Sequence, residues 1–251
     1  MAPGCWASVS ASDDSPNRPI CSDNPETVDV VEEALTSLWS VANKLSRIRP
    51  SRRERYSVTV FGSSRIRPGG ELYEDVKRLT TVLSQMRCDI VTGGGPGLMQ
   101  AANEGAQIGD PEDVARSIGV RVALPFEKEA NPFVEQVYTH QTFYTRLHHF
   151  VRLSDAFVVV GGGIGTTLEL LLIWQLLQVR HIDSLPLILV GDMWRELVGW
   201  AQKHMIDNDP PLANAEDVDL TICVDTVDQA VELLRPRIET FNAGQSTPPN
   251  A

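Results

Sequence analysis

From Tyr56 onward the chain alternates short apolar, β-branched runs with longer amphipathic stretches. Residues 57–61, 89–92, 118–123, 156–160, 186–190 and 220–224 read as strands. Residues 72–86, 98–106, 145–153, 165–179, 193–204 and 227–234 read as helices. Strands that alternate with helices build βαβ units and a parallel sheet. Val158, Val159 and Val160, like Leu187 to Val190, are apolar without alternation, as strands are when helices cover both faces. The predicted fold is α/β: a Rossmann-like three-layer α/β/α parallel sheet. Ligands of such sheets sit beyond the carboxyl ends of the strands, where the strand order reverses.

The flanks differ. Residues 1–23 are rich in Ser, Pro, Asp and Asn and read as a flexible tail. Residues 24–55 read as a helix and a basic linker. Asn24 suits a cap, Pro25 suits the first helical position, and Val31, Leu35, Leu38, Val41, Ala42 and Leu45 supply an apolar stripe. Arg47, Arg49, Arg52, Arg53 and Arg55 follow, read as solvated linker rather than as an RNA or membrane contact. The Rossmann-like domain is expected over residues 56–236, with a second flexible tail over 237–251.

Composition narrows the function classes. The 251 residues carry a net charge of −11, so no global positive field gathers nucleic acid, and a small anion needs a local site. Cys5, Cys21, Cys88 and Cys223 form no CxxC pair, which points away from zinc and disulfides and toward a reducing cytoplasm. The apolar stretch at 156–179 is interrupted by four glycines and Glu169, unlike a membrane span. His148 and His149 are adjacent and cannot chelate one ion in the i, i+4 manner, so they read as packing or surface residues, and no metal is expected.

Two glycine clusters follow predicted strands directly. Gly93, Gly94, Gly95, Pro96 and Gly97 follow one, and Gly161, Gly162, Gly163, Ile164, Gly165 and Thr166 follow the other. Such turns bring backbone N–H groups close to a ligand and offer it the positive end of the next helix, which suits phosphate. A third turn at Gly62, Ser63 and Ser64, with Arg65, lies at the same edge. Neither cluster is GxGxxG and no GxxxxGK[ST] occurs, so a mononucleotide fits better than a dinucleotide or an NTPase substrate.

Glu169 is the one charged residue between Asp155 and Arg180, in the first turns of a helix of Leu, Ile and Trp. A carboxylate there is costly unless paired or used. Arg146 lies at the start of the helix leading into the 156–160 strand, hence at the carboxyl edge of the sheet. It can converge with Glu169, either to hold a phosphate or to keep the carboxylate ionised. The helix beginning at Thr166 is apolar nearly all round, which predicts a face for a second subunit.

The segment from Arg146 through Ser154, Asp155, Ala156 and Phe157 to Gly162, Gly163, Ile164, Gly165, Thr166 and Glu169 resembles the LONELY GUY (LOG) family, with its signature PGGxGTxxE after an Arg-Lys helix. The 93–99 turn, ending at Met99, is similar to that family's GGGxxGLM turn, and the similarity spans residues 56–234. Gly161 stands where the signature has proline, and Leu147 where it has lysine. The resemblance implies a phosphoribohydrolase: water cleaves the N-glycosidic bond of a nucleoside 5′-monophosphate, AMP or a modified adenine nucleotide, into free base and ribose 5-phosphate. It implies catalytic roles for Glu169 and Arg146, a phosphate grip by the 162–166 turn, a wall for sugar or base from Gly93 to Gly97, and a homodimer. No organic cofactor is implied; relatives labelled lysine decarboxylase find no pyridoxal-phosphate lysine case here. The alternative is a non-catalytic carrier of nucleotides or molybdenum cofactor, as some similar Rossmann-like proteins are.

Overall fold

The computed structural model describes residues 54–123, 129–182 and 185–245, together with Val30, Glu33 and Leu38. Residues 1–48 form a unit distinct from residues 49–251. In the first unit Val30, Glu33 and Leu38 are helical and exposed. The rest of the expected N-terminal helix, the linker as far as Arg53, and residues 1–23 and 246–251 lie outside the described residues.

Among its described residues the second unit holds seven strands: β1 (Ser57–Phe61), β2 (Asp89–Thr92), β3 (Ser117–Val122), β4 (Gln136–His140), β5 (Ala156–Val159), β6 (Leu187–Val190) and β7 (Ile222–Val224). The helices between and after them are α1 (Glu71–Gln85), α2 (Leu98–Gly109), α3 (Phe143–Leu153), α4 (Ile164–Gln178), α5 (Asp192–Ala201) and α6 (Val227–Gln245). All strand pairs are parallel, in the order β4-β3-β2-β1-β5-β6-β7. The order reverses between β1 and β5, so the loops after those strands flank the switch point where such sheets bind ligands.

Strand pleating divides the core in two. Val58, Val60, Ile90, Val158 and Ile188 meet α1, α2 and α6 on one face. Phe61, Val91, Val120, Phe157, Val159 and Leu189 meet Phe150 of α3, Leu170 and Ile173 of α4 and Trp194 of α5 on the other. The three-layer α/β/α expectation is thus realised. The close approach of α1 and α2 depends on glycine: a Cβ at Gly105 would lie 2.2 Å from the Lys77 carbonyl and from Thr80 Oγ1.

Three features depart from the sequence reading. Strand β4 was not anticipated, because its half-buried edge sequence QVYTH lacks an apolar run. Helix α6 continues past residue 236 to Gln245, where a tail was expected. Pro236 ordinarily stops a helix, but Ile238 beyond it is fully buried and Phe241 packs edge-on against Tyr56 at 5.7 Å, which offsets the lost hydrogen bond. Arg55 is not solvated linker: its Nε donates to Asp89 Oδ1 at 2.6 Å, with the side chain only 16% exposed.

Glycine packing generates a paired prediction. Gly105→Ala should destabilise by about 1–3 kcal/mol through overpacking, whereas Gly199→Ala, in the exposed face of α5 with open space around it, should stabilise by about 0.5–1 kcal/mol. Chemical denaturation of the two variants against wild type measures both.

Candidate functional site

The carboxyl edge of the sheet gathers three turns. Ser63, after β1, is their hub: its N–H donates to Gly161 O at 3.0 Å and its carbonyl accepts from Leu98 N at 2.9 Å. Its hydroxyl accepts from Arg65 N. Gly62 is wedged where a Cβ would lie 2.8 Å from Val160 and 2.9 Å from Leu98. Gly97 has φ +73° and presses on the Ser63 carbonyl, which a Cβ would meet at 2.4 Å. That position accepts glycine alone at low cost.

Arg146 comes from α3, whose start is set by Thr142: the Thr142 hydroxyl accepts from Thr145 N, an N-cap bond. From there the arginine reaches under the glycine turns. Its Nε donates to Val120 O at 2.9 Å and its Nη1 lies 3.1 Å from Glu169 Oε1. The guanidinium sits over the Phe150 ring, 5.1 Å from the centroid. Its Nη2 is so close to Gly93 that a Cβ there would stand 2.6 Å away, as it would from Met99 Sδ. Both side chains of the pair are nearly enclosed, 13% and 11% exposed.

Burial dominates the electrostatics. It pushes the Glu169 carboxyl from 4.5 to about 7, although the Arg146 charge and hydrogen bond pull it down. His140 lies near the same guanidinium and bonds His149 at 2.8 Å; burial first, then the Arg146 charge, lowers its affinity for a proton. His149 is lowered to about 4, again mainly by burial. Both rings are therefore neutral near pH 7, and Arg146 supplies the cation of the pair.

The second glycine turn opens to solvent. Ile164 is 89% exposed, and a Cβ at Gly163 or Gly165 would meet nothing within 4 Å. The first N–H groups of α4 have no partner within the helix, an arrangement that receives anions. Thr166 is instead buried, its side chain against Gly162, so backbone rather than its hydroxyl forms the exposed lip. At Gly161 a Cβ would meet only the end of Leu72, at 3.0 Å.

The structure thus brings together Gly62, Ser63, Gly93, Gly94, Gly95, Gly97, Met99, Arg146 and Glu169, with Gly162, Gly163, Ile164, Gly165 and Thr166 at the start of the helix that bears Glu169. Sequence reasoning missed Thr92, Asn103, Ser117 and Asn131, a buried polar cluster under the first turn. One signal was available: Asn103 occupies the apolar face of α2 among Leu98, Ala102 and Ala106. Among the described residues no group of three His, Cys, Asp or Glu side chains could hold a metal, and no helix is long and apolar enough to cross a membrane.

The family model described as possible lysine decarboxylase matches residues 99–234. The chain belongs to this LOG-like family. The pyrimidine/purine nucleotide 5′-monophosphate nucleosidases of Escherichia coli strains K12 and O157:H7 are 32% identical over 140 residues, covering 53% of this chain and 30% of theirs. The matched stretch thus spans about a third of those relatives' length. The molybdenum cofactor binding protein of Rippkaea orientalis shares the fold at 19% identity, with TM-score 0.54 over 75% of this chain and 99% of that one. The molybdenum cofactor carrier protein of Chlamydomonas reinhardtii does so at 17%, with TM-score 0.55 over 76% and 99%.

The charge arrangement gives a direct expectation. In protein labelled with ¹³C at the glutamate carboxyls, Glu169, assigned through Glu169→Gln, should titrate near pH 7. Arg146→Met, which removes the charge that favours the ionised form, should move that midpoint upward. A midpoint in the ordinary carboxylate range would contradict the burial argument.

Proposed function

We propose that this chain is a nucleoside 5′-monophosphate phosphoribohydrolase, acting on AMP or a modified adenine nucleotide in a reducing, cytoplasmic setting. The observation that carries the reading is the enclosed Arg146–Glu169 pair beneath the glycine turns at the switch point of the sheet. The E. coli nucleosidases that the chain resembles over half its length support the reaction class.

The chemistry follows from the residues. The open turn at 162–165 and the first N–H groups of α4 receive the 5′-phosphate, and that binding places the sugar against Glu169. As the C1′–N bond lengthens, its electron pair leaves with the base and positive charge grows on the sugar, which the carboxylate stabilises. Glu169 takes a proton from the attacking water, whose oxygen becomes the 1-hydroxyl of ribose 5-phosphate; the departing base takes up a proton from solvent, to which Glu169 then returns its own. A carboxyl that titrates near 7 suits a general base at neutral pH. Arg146 has its Nε and Nη1 engaged by Val120 and Glu169, which favours orienting the carboxylate over gripping phosphate.

Incubation with a panel of nucleoside 5′-monophosphates should release free base, read by chromatography. Glu169→Gln should lower kcat by about 10²–10⁴-fold, the range for a lost acid–base group. In wild type, kcat should fall below pH 7 as Glu169 gains a proton. Tight nucleotide binding in calorimetry without base release would instead favour a carrier.

We also propose a homodimer. Leu168 and Leu171 of α4, Val179 just after it and Trp200 of α5 are each 46–58% exposed. Leu171 and Trp200 also line an apolar groove of about 300 Å³, with Trp174, Leu197, Met205 and Val218. Apolar surface of this kind favours a partner. Sedimentation should give twice the chain mass, and Leu171→Glu should shift it toward monomer; a strict monomer in wild type would remove the proposal.

A further inference from the structure

We propose that Thr92, Asn103 and Asn131 are positioning residues: a closed, buried hydrogen-bond ring that holds the turn at residues 93–95 against the Arg146 guanidinium.

The ring can be followed atom by atom. Gly94 N donates to Thr92 Oγ1 at 2.9 Å, and that hydroxyl donates to Asn103 Oδ1 at 2.7 Å. Asn131 Nδ2 donates to the same Asn103 oxygen and to Gly95 O, both at 3.0 Å. Asn131 N donates to Gly94 O at 2.9 Å, which closes the circuit through the turn itself. The remaining amide atoms are also used. Asn103 Nδ2 donates to Ser117 Oγ, Ser117 Oγ donates to Phe133 O, and Phe133 N donates to Asn131 Oδ1. Thr92, Asn103 and Ser117 are at most 1% exposed and Asn131 is 8% exposed.

A buried polar group costs free energy unless its partners are in place, so a satisfied ring has one low-energy geometry and resists distortion. Here two members, Thr92 and Asn131, hold the backbone of Gly94 and Gly95 directly, through three bonds, and Asn103 ties those two together. Gly94 has φ +69° and its neighbourhood is tight, a Cβ there lying 3.2 Å from Gly119 Cα. The turn therefore cannot slide toward β3. On its other side Gly93 abuts Arg146 Nη2, which a Cβ there would displace from a separation of 2.6 Å. The ring thus reaches Glu169 through Gly93 and Arg146, without touching the carboxylate.

This placement has an electrical consequence. Arg146 from α3 is the charged group that opposes burial at Glu169. His140 of β4 lies near the same guanidinium, and burial holds both it and its hydrogen-bond partner His149 toward the neutral form. If the turn loosens, Arg146 gains room to leave Glu169, and the carboxyl should bind its proton more tightly. The rate effect rests on the phosphoribohydrolase reading; the titration effect does not.

The test compares Thr92→Val, which keeps the shape and removes the hydroxyl, with Thr92→Ser, which keeps the hydroxyl. In ¹³C-labelled protein, the Thr92→Val variant should raise the Glu169 midpoint by about half a unit or more, while Thr92→Ser should titrate as wild type. In the base-release assay Thr92→Val should lower kcat about tenfold with a smaller change in KM. It should also displace the acid limb of the pH profile upward. An unchanged Glu169 midpoint in folded Thr92→Val, or equal displacement in Val and Ser, overturns the proposal. Should Thr92→Val not fold, Asn131→Ser, which frees Gly95 O, decides by the same titration. Loss of fold in both, with Thr92→Ser folded, would assign the ring to stability alone and overturn the positioning role. Wild type inert toward every monophosphate would sink the hydrolase reading and leave the titration comparison intact.

Discussion

An ion pair placed inside a protein is a constraint before it is a tool. The desolvation of Arg146 and Glu169 is recovered only if both groups find good partners at fixed distances. Each partner of the guanidinium comes from a different element: Val120 from β3, Glu169 from α4 and the ring of Phe150 from its own helix. The pair therefore exists only when the two halves of the sheet, meeting at β1 and β5, are assembled in register. Even then burial outweighs attraction for Glu169, which is why its carboxyl rises to about 7 rather than falling.

The glycines around the pair answer to two different demands, and sequence alone shows them as one kind of loop. Gly62, Gly93 and Gly97 are glycine because another atom occupies the space of a Cβ, and for Gly97 the backbone angle adds a second reason. Gly163 and Gly165 meet nothing at all. Crowding explains the first group as packing between turns. It cannot explain the second, where an open lip at a helix start leaves the backbone accessible to a guest.

The architecture was legible because its pattern is strong: β5 and β6 are apolar on both sides, and only a covered parallel sheet needs that. Convergence of Arg146 with Glu169 was legible from the rule that helices entering parallel strands start at the carboxyl edge. Strand β4 was not, since an edge strand with exposed alternate positions can be polar. The end of α6 was hidden by Pro236, whose local preference lost to burial of Ile238. The ring of Thr92, Asn103 and Asn131 was hidden for a different reason. Its members are spread over 40 positions counted inclusively from 92 to 131, and polar residues reveal a network only once the fold brings them together.

Helix α4 poses a last physical question: with no apolar side distinct from a polar one, what decides which way it faces? Hydrophobic burial does not, because turning it would exchange one set of leucines for another. Glu169 on its own would prefer solvent. The answer lies across the helix, where Trp174 Nε1 donates to Asp217 O at 2.6 Å and Gln178 Nε2 donates to Asp217 Oδ2 at 2.7 Å. Trp174 is five residues after Glu169, about 140° around the helix at 3.6 residues per turn. Those two bonds face away from the carboxylate and hold it inward, against Arg146 and against its own solvation. At the helix start, the side chain of Thr166 against Gly162 ties the same rotation to the open turn. The inward carboxylate and the outward leucines are therefore two results of one rotational choice, made by polar contacts at a distance from both.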